Sequence, residues 1–255
     1  MALNFEQMKT EKIEYNQMSF TYSYFASDAS GKGCIREIII RDSYRLSRFA
    51  NLENEILFDI GANNGLATII LAKQNPKSTI IAVEPLFELC EIIRKNIADN
   101  QLENVVVYQS ALHSNLEGTQ IHLATTCSGA SATNVKDSSL FFRFEKDAEI
   151  RNVETITYDT LCERYGLVNR APKLLKIDCE GGEYYLLDSI YFKANGVEFL
   201  EGEFHDTAYN ASDDYSAQNL FEFCKSFVKS EMQVTVLLRV LGKTQETCLN
   251  YKNEN

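Results

Sequence analysis

Proline and glycine are scarce: three and twelve in 255 residues. Collagen-like and low-complexity chains are thereby excluded. Basic charge is also short, with 25 Lys+Arg against 36 Asp+Glu and a formal charge of −11. A generic phosphate-backbone binder needs a basic face, so nucleic acid is not an expected partner. No apolar run approaches the roughly 18 residues of a membrane-spanning helix. The seven cysteines (34, 90, 127, 162, 179, 224 and 248) form no C-x-x-C pair, which leaves zinc ribbons and dithiol redox motifs unsupported. The start, MALNFEQMKTEKIE, is charged and polar, unlike the apolar stretch of a secretion signal. Scattered thiols in such a chain suit a reducing cytoplasm, the expected location. What is abundant is apolar residues, 45% of the chain, enough for one large domain or two small ones.

The middle of the chain alternates strand-like and helix-like segments. Residues 56–60 form a short apolar run ending at Gly61, 66–72 read as a helix closed by Asn75-Pro76, and 79–83 are a β-branched strand ending at Glu84-Pro85. Leu86, Leu89, Ile93 and Ile97 recur at helical spacing, and 105–108 is another strand. Such alternation builds βαβ units around a parallel sheet, whose strands are apolar on both faces because helices cover both. The rhythm breaks over 113–152, where 124–139 is a Ser/Thr/Ala-rich loop or lid. It resumes with a strand at 153–158 and a short helix at 159–165, where Thr160 and Glu163 have capping-box spacing. Then come a strand at 174–177, a helix at 182–190, a strand at 197–204 and an amphipathic helix at 216–231. Segments 234–240 and 246–251 flank Gly242-Lys243-Thr244-Gln245 as a terminal hairpin, placing one antiparallel strand at the sheet edge. In the first 50 residues, 35–41 read as a strand and 44–50 as a short helix. The expected division is an N-terminal cap over 1–50, serving substrate or oligomer contacts, and a main domain over 51–255 with an insertion at about 113–158.

The first strand runs through Asp59-Ile60-Gly61-Ala62-Asn63-Asn64-Gly65 into a helix. Glycines let a backbone turn tightly against a ligand, and the carboxyl-end crevice of an open α/β sheet is where ligands bind. A dinucleotide site requires G-x-G-x-x-G, the middle glycine admitting the pyrophosphate. Here the spacing is G-x-x-x-G with Asn63 inside it, and Asp59 would repel a diphosphate. S-adenosylmethionine, which has a sulfonium, an ammonium and no phosphate, inverts that argument. Glu84, ending the next strand, suits a pair of ribose hydroxyls, although nicotinamide enzymes share that feature.

The stretches FDIGANNGLATIILA, IIAVEP, the helix with Asn96 and Asn100, VETITYDTL, LLKIDCEGGEYYLL and EGEFH resemble, in the same order, the FkbM-type methyltransferases. The resemblance covers about residues 52–205. It implies a Rossmann-like class I methyltransferase sheet of order 3-2-1-4-5-7-6 with the last strand antiparallel and helices on both faces. It also implies O-methylation of a hydroxyl, often on a sugar or a polyketide. By the same resemblance Asp59, Gly61, Ala62, Asn63 and Gly65 take the methionine part of the cofactor, Glu84 the ribose, and Ser110 and Ala111 the adenine, with Pro85 and Asp178 also among the cofactor-binding residues.

Two later strands end in alternating ionisable groups: Lys176, Asp178 and Glu180, and then Glu201, Glu203 and His205. Alternation puts each trio on one face, and neighbouring strands lie about 5 Å apart, so Asp178, Glu180, Glu203 and His205 are expected to converge at the carboxyl edge. Methyl transfer is an in-line displacement in which positive charge disperses, so catalysis rests on alignment and on removal of the hydroxyl proton. An unperturbed imidazole is a suitable base near neutrality, which makes His205 the favoured one, with Glu203 orienting it or binding a substrate hydroxyl. Asp178 faces either the cofactor ammonium or the acceptor hydroxyl, and Lys176 either acts there or simply pairs with an acid. Glu183, at a helix start, reads as structural. A divalent ion on Asp178, Glu203 and His205 is the less favoured alternative to base catalysis. The expected function is a cytoplasmic O-methyltransferase acting on a small molecule or glycan, of open oligomeric state. Its rivals are a nicotinamide-dependent oxidoreductase and a non-catalytic interaction protein with a degenerate methyltransferase fold. A nucleic-acid methyltransferase is disfavoured by the acidic composition and by the lack of an Asn/Asp-Pro-Pro-Tyr/Phe tetrapeptide.

Overall fold

A computed structural model describes residues 7–124, 126–133, 148–206, 216–229, 233–239 and 247–248. Its centre is a seven-stranded sheet. The strands β3 (Glu53–Ile60), β4 (Lys77–Val83), β5 (Val105–Tyr108), β10 (Leu174–Ile177), β11 (Phe199–His205), β12 (Val234–Arg239) and β13 (Thr247–Cys248) lie in the order β13-β12-β11-β10-β3-β4-β5. All neighbours are parallel except β12 and β13. Alternate residues of each central strand enter different cores. Leu57, Ile80 and Leu174 pack with helix α2 (Leu66–Gln74), whereas Phe58, Ile81 and Leu175 pack with helices Tyr158–Arg164, Ile190–Asn195 and Ala217–Lys225. The expected α/β class and the antiparallel last strand are as observed. The edge order differs: the last two strands run 6-7, not 7-6. The reason is that β11 and β12 pair directly from Leu200↔Val234 to His205↔Arg239, which leaves no place between them for a third strand. Most of the expected terminal loop, 240–246 and 249–251, lies outside the described residues.

The N-terminal segment departs most from expectation. It begins with a hairpin of β1 (Met8–Tyr15) and β2 (Met18–Phe25). Both turn residues, Asn16 and Gln17, have positive φ (46° and 66°), as a two-residue type I′ loop requires. The expected strand at 35–41 is helical: α1 (Ala29–Cys34), capped by the Asp28 side chain, continues as a wider π-helical turn, Ile35–Ile40. The β-branched run Ile38-Ile39-Ile40 favours a strand locally, but tertiary packing decides, burying Ile38 and leaving Ile40 74% exposed. This segment covers α2, every residue of which from Leu66 to Ala72 is buried. A helix apolar all round needs such covering on all sides. The hairpin is sewn to helix α3 (Phe87–Asp99) by two asparagines. Asn96 accepts from Ser23 N (2.7 Å) and donates to Ser23 O (3.0 Å), and Asn100 does the same with Thr21 (3.0 and 2.7 Å). Among the described residues no strand pairs with β2 on that edge, and each amide imitates one.

Within the interrupted region, β7 (Thr119–Ala124) and β8 (Ala148–Val153) form an antiparallel pair, and β6 (Ala111–Leu112) pairs with β9 (Thr155–Ile156). The following helix is capped by Thr157, whose side chain accepts from Thr160 N, one turn before the expected Thr160–Glu163 box. The expected helix at 182–190 is a 3-10 run, Gly182–Asp188, followed by the helix Ile190–Asn195. The helix expected over 216–231 spans Ala217–Lys225. Cys34, Cys90, Cys127, Cys162, Cys179 and Cys224 are all free. Among the described residues no helix is long and apolar enough to cross a membrane.

Glu201 supplies a test of this packing. It is fully buried on β11, 3.5 Å from Arg48 of the N-terminal segment. Burial pushes its pKa up to about 8, against the lowering influence of Thr235, Arg48 and Arg45. A carboxyl raised in the folded state binds its proton more tightly there. Its stabilising contribution is therefore complete below the ordinary carboxyl range and is lost as pH rises toward 8, by up to about 1.4 kcal/mol per pH unit. Glu201→Gln should match the wild type in thermal unfolding at pH 5 and exceed it at pH 9. An unchanged difference between the two pH values would refute this reading of Glu201.

Candidate active site

The site is built on the turn after β3. Gly61 has φ +75°, and a Cβ there would lie 1.8 Å from the Asp178 carbonyl oxygen, so the turn can pass the end of β10 only without a side chain. Gly61 N and Ala62 N both donate to Val83 O, at 2.9 and 3.1 Å. Asn63 is left-handed (φ 52°), and its Oδ1 accepts from Asn64 N at 2.9 Å. Gly65, also left-handed, starts α2. Glu84 locks this turn to the next one: its Oε2 accepts from Asn63 N and its Oε1 from Leu86 N, each at 3.0 Å. Burial pushes the Glu84 pKa up to about 7, although both amides favour the charged form.

Beneath the turn lies a buried ion pair. Lys176 Nζ is 3.1 Å from Asp59 Oδ1, donates to Gly61 O at 2.9 Å, and sits 5.3 Å from the centre of the Tyr44 ring. Thr68 Oγ1 donates to Asp59 Oδ2 at 2.5 Å. Burial opposes the charge on Lys176, but Asp59 and Asp178 outweigh it and hold the amine above its usual range. Asp59 therefore has its own cation and does not wait for one from a ligand.

Two cavities meet over this foundation. The first is a narrow crevice of about 60 Å³, lined among others by Gly61, Asn63, Glu84, Pro85, Ser110 and Ala111. Ser128, Gly129, Ser131 and Thr133 close over it. That covering loop is tied down by Asp28, which accepts from Ser128 N (2.9 Å) and Ser128 Oγ (2.5 Å). The second cavity, about 210 Å³, has Cys34, Glu37 and Tyr44 of the N-terminal segment on one wall and Lys176 and Glu203 on another. Gly61, Asn63, Gly129, Asp178 and Glu180 belong to both.

At the shared floor the expected convergence of strand ends is present. His205 is fully buried, with Nε2 3.9 Å from Asp178 Oδ1, 3.6 Å from Glu180 Oε1 and 3.7 Å from Glu203 Oε2. Its Nδ1 lies 3.1 Å from Glu183 Oε1, and the same carboxylate accepts from Cys179 N and Gly181 N, each at 2.8 Å. Tyr44 donates to Asp178 Oδ2 at 2.7 Å. Burial disfavours the imidazolium, but Glu180, Glu183 and Asp178 overcome this and hold the imidazole well above its ordinary pKa. The unperturbed imidazole assumed for a base is thus not what the strand ends create.

Residues 59–230, about two thirds of the chain, match the model of the methyltransferase FkbM domain. The chain belongs to that family. None of the curated proteins matches it. Among solved structures, this FkbM domain is similar to M. jannaschii TYW2 in complex with AdoMet (22% identity, TM-score 0.28, 38% of this chain and 42% of that one). It is likewise similar to an rRNA methylase from Streptococcus thermophilus (21%, 0.26, 31% and 45%) and to precorrin-6y C5,15-methyltransferase from Geobacter metallireducens GS-15 (21%, 0.25, 28% and 36%). The chain spans less than half the length of each of these structures.

The geometry of this FkbM domain sorts the expected site residues. Gly61, Asn63, Glu84, Pro85, Ser110, Ala111 and Asp178 line the crevice. Ala62 lines the second cavity, while Asp59 and Gly65 support the turn and line neither. Lys176 pairs with Asp59, and Glu201 turns to Arg48, away from the cluster. Sequence reasoning missed Glu37, for which no local signal exists. It also missed the link from Glu183 to His205, because a helix-start acid reads as structural until the fold brings β11 beside it.

Proposed function

We propose that this FkbM methyltransferase transfers the methyl group of S-adenosylmethionine to a hydroxyl oxygen of a small molecule or glycan. The observation behind this reading is that two cavities share Asp178 and Glu180, one with the Glu84 turn and the other with Glu37 and Glu203. In our reading the cofactor occupies the crevice, with its ribose toward Glu84 and its adenine toward Ser110 and Ala111, and the acceptor occupies the second cavity. Oxygen is favoured over nitrogen on electrostatic grounds. Several carboxylates would keep an amine protonated, with no lone pair to donate, whereas a hydroxyl stays neutral and can donate to them.

The reaction needs alignment and one proton transfer. The acceptor oxygen forms a bond to the methyl carbon, the carbon–sulfur bond breaks and its electron pair neutralises the sulfonium, and the hydroxyl proton leaves. We assign that proton to Asp178, whose side chain is 23% exposed and is held by Tyr44. His205 lines neither cavity, so in this account it positions Asp178 and Glu203 and does not touch the acceptor. The N-terminal segment, which supplies Glu37 and Tyr44, serves as the acceptor-side cap. A reducing cytoplasmic setting fits the free thiols.

Labelled methyl donor with a panel of polyhydroxylated acceptors tests the proposal. Asp178→Asn should lower turnover by roughly 100-fold or more, the usual contribution of a proton acceptor, while changing S-adenosylhomocysteine affinity less than tenfold. Equal turnover in variant and wild type would remove Asp178 from the mechanism.

A further inference from the structure

His205 occupies a cage that hydrogen bonding does not explain. The ring is fully buried and its orientation is fixed at Nδ1 by Glu183, itself clamped by two backbone amides. Nε2 therefore points at Asp178, Glu180 and Glu203, yet among the described residues it makes no hydrogen bond. The oxygens stand 3.6–3.9 Å away. That is too far for an N–H···O bond. It is close to the separation of two ligands around one metal ion: bonds of about 2.0–2.2 Å put neighbouring ligand atoms roughly 3–3.6 Å apart. One atom each from Asp178, Glu203 and His205 all lie within 4.8 Å of one another. An imidazole whose other nitrogen is bound to a carboxylate is the usual second-shell arrangement of a metal-ligating histidine.

We propose that Asp178, Glu203 and the Nε2 of His205 hold a divalent cation on the floor of the acceptor cavity, with Glu180 beside it. The donor set, one imidazole and hard carboxylates, suits Mn²⁺ better than Mg²⁺, which prefers oxygen alone. Charge supports it: four carboxylates, Asp178, Glu180, Glu183 and Glu203, surround the one imidazole, and the adjacent cation Lys176 is engaged by Asp59 and Gly61. Asp178 and Glu203 line the acceptor cavity and His205 lies behind them, so the ion's remaining positions would open toward the acceptor. There it would lower the pKa of a bound hydroxyl, the proton passing to a cavity carboxylate or to water. This catalytic role rests on the proposed methyl transfer; the binding of the ion does not.

Purified wild type should take up one equivalent of Mn²⁺, read as loss of the free Mn²⁺ signal in electron paramagnetic resonance. Asp178→Asn, Glu203→Gln and His205→Ala should each weaken uptake roughly tenfold or more. Circular-dichroism melting of the same samples reports whether each variant is folded, and S-adenosylhomocysteine titration reports the cofactor site separately. If His205→Ala fails to fold, the two isosteric variants decide. Wild type that binds S-adenosylhomocysteine but no Mn²⁺ overturns the metal site and leaves the methyl-transfer reading standing. Mn²⁺ uptake that survives the substitutions places the ion elsewhere and also overturns it. Uptake lost in the variants, with no S-adenosylhomocysteine binding by wild type, supports the metal site and removes the cofactor reading.

Discussion

Lys176→Met should destabilise the fold by about 3–5 kcal/mol, the cost of removing one partner from a buried ion pair. The residue is 4% exposed, and its ammonium serves both Asp59 Oδ1 (3.1 Å) and Gly61 O (2.9 Å). Methionine fills similar space but leaves a fully buried carboxylate with Thr68 as its remaining hydrogen-bond donor. Released from Lys176, the Gly61 carbonyl also loosens the turn, so cofactor binding should fall with stability. Denaturant unfolding of Lys176→Met, and of the double variant Asp59→Leu/Lys176→Met, separates the causes. The double variant should recover much of the lost stability, because it removes the stranded charge. Equal losses in both would show that the pair is not what Lys176 stabilises.

Gly61→Ala is the second large effect. The new methyl would meet the Asp178 carbonyl at 1.8 Å, and the residue would keep φ near +75°. Left-handed strain costs about 1–2 kcal/mol and overpacking about 1–3 kcal/mol more. The clash also pushes on the segment that holds Asp178, so S-adenosylhomocysteine affinity should drop even where the protein still folds. Gly166→Ala is the internal control. It too has positive φ (67°), but among the described residues nothing lies within 4 Å of its added Cβ, so it should incur the strain alone and leave binding intact. Comparable losses at both positions would mean that the close approach to β10 is unimportant.

How far the sequence revealed this arrangement depended on the range of the interactions involved. β3, β4, β5 and β10 were legible because each carries a short apolar run that stands between turn residues and a helical repeat. The strand-end cluster was legible because a two-residue period fixes which side chains share a face, and parallel neighbours bring those faces together. The hairpin β1–β2 was not, although Phe20, Tyr22 and Tyr24 alternate along it. Its turn is Asn16-Gln17 without glycine, and its partners Asn96 and Asn100 are more than seventy residues away in sequence. The role of Asp59 was misread for a related reason. A carboxylate at a strand end looks available to a cationic ligand until Lys176, on the adjacent strand, is seen to neutralise it. The His205 base rested on an ordinary imidazole pKa despite the expected carboxylate neighbours, and only the folded arrangement shows the ring fully buried and held at Nδ1 by Glu183.

The central claim is that the crevice between Gly61, Glu84 and Ser110 holds an adenosyl thioether. Calorimetric titration of the wild-type chain with S-adenosylhomocysteine tests it most directly, with reduced nicotinamide dinucleotide as the competing ligand. The account predicts saturable one-to-one binding of S-adenosylhomocysteine and none of the dinucleotide. Binding of the dinucleotide with no heat from S-adenosylhomocysteine would contradict it.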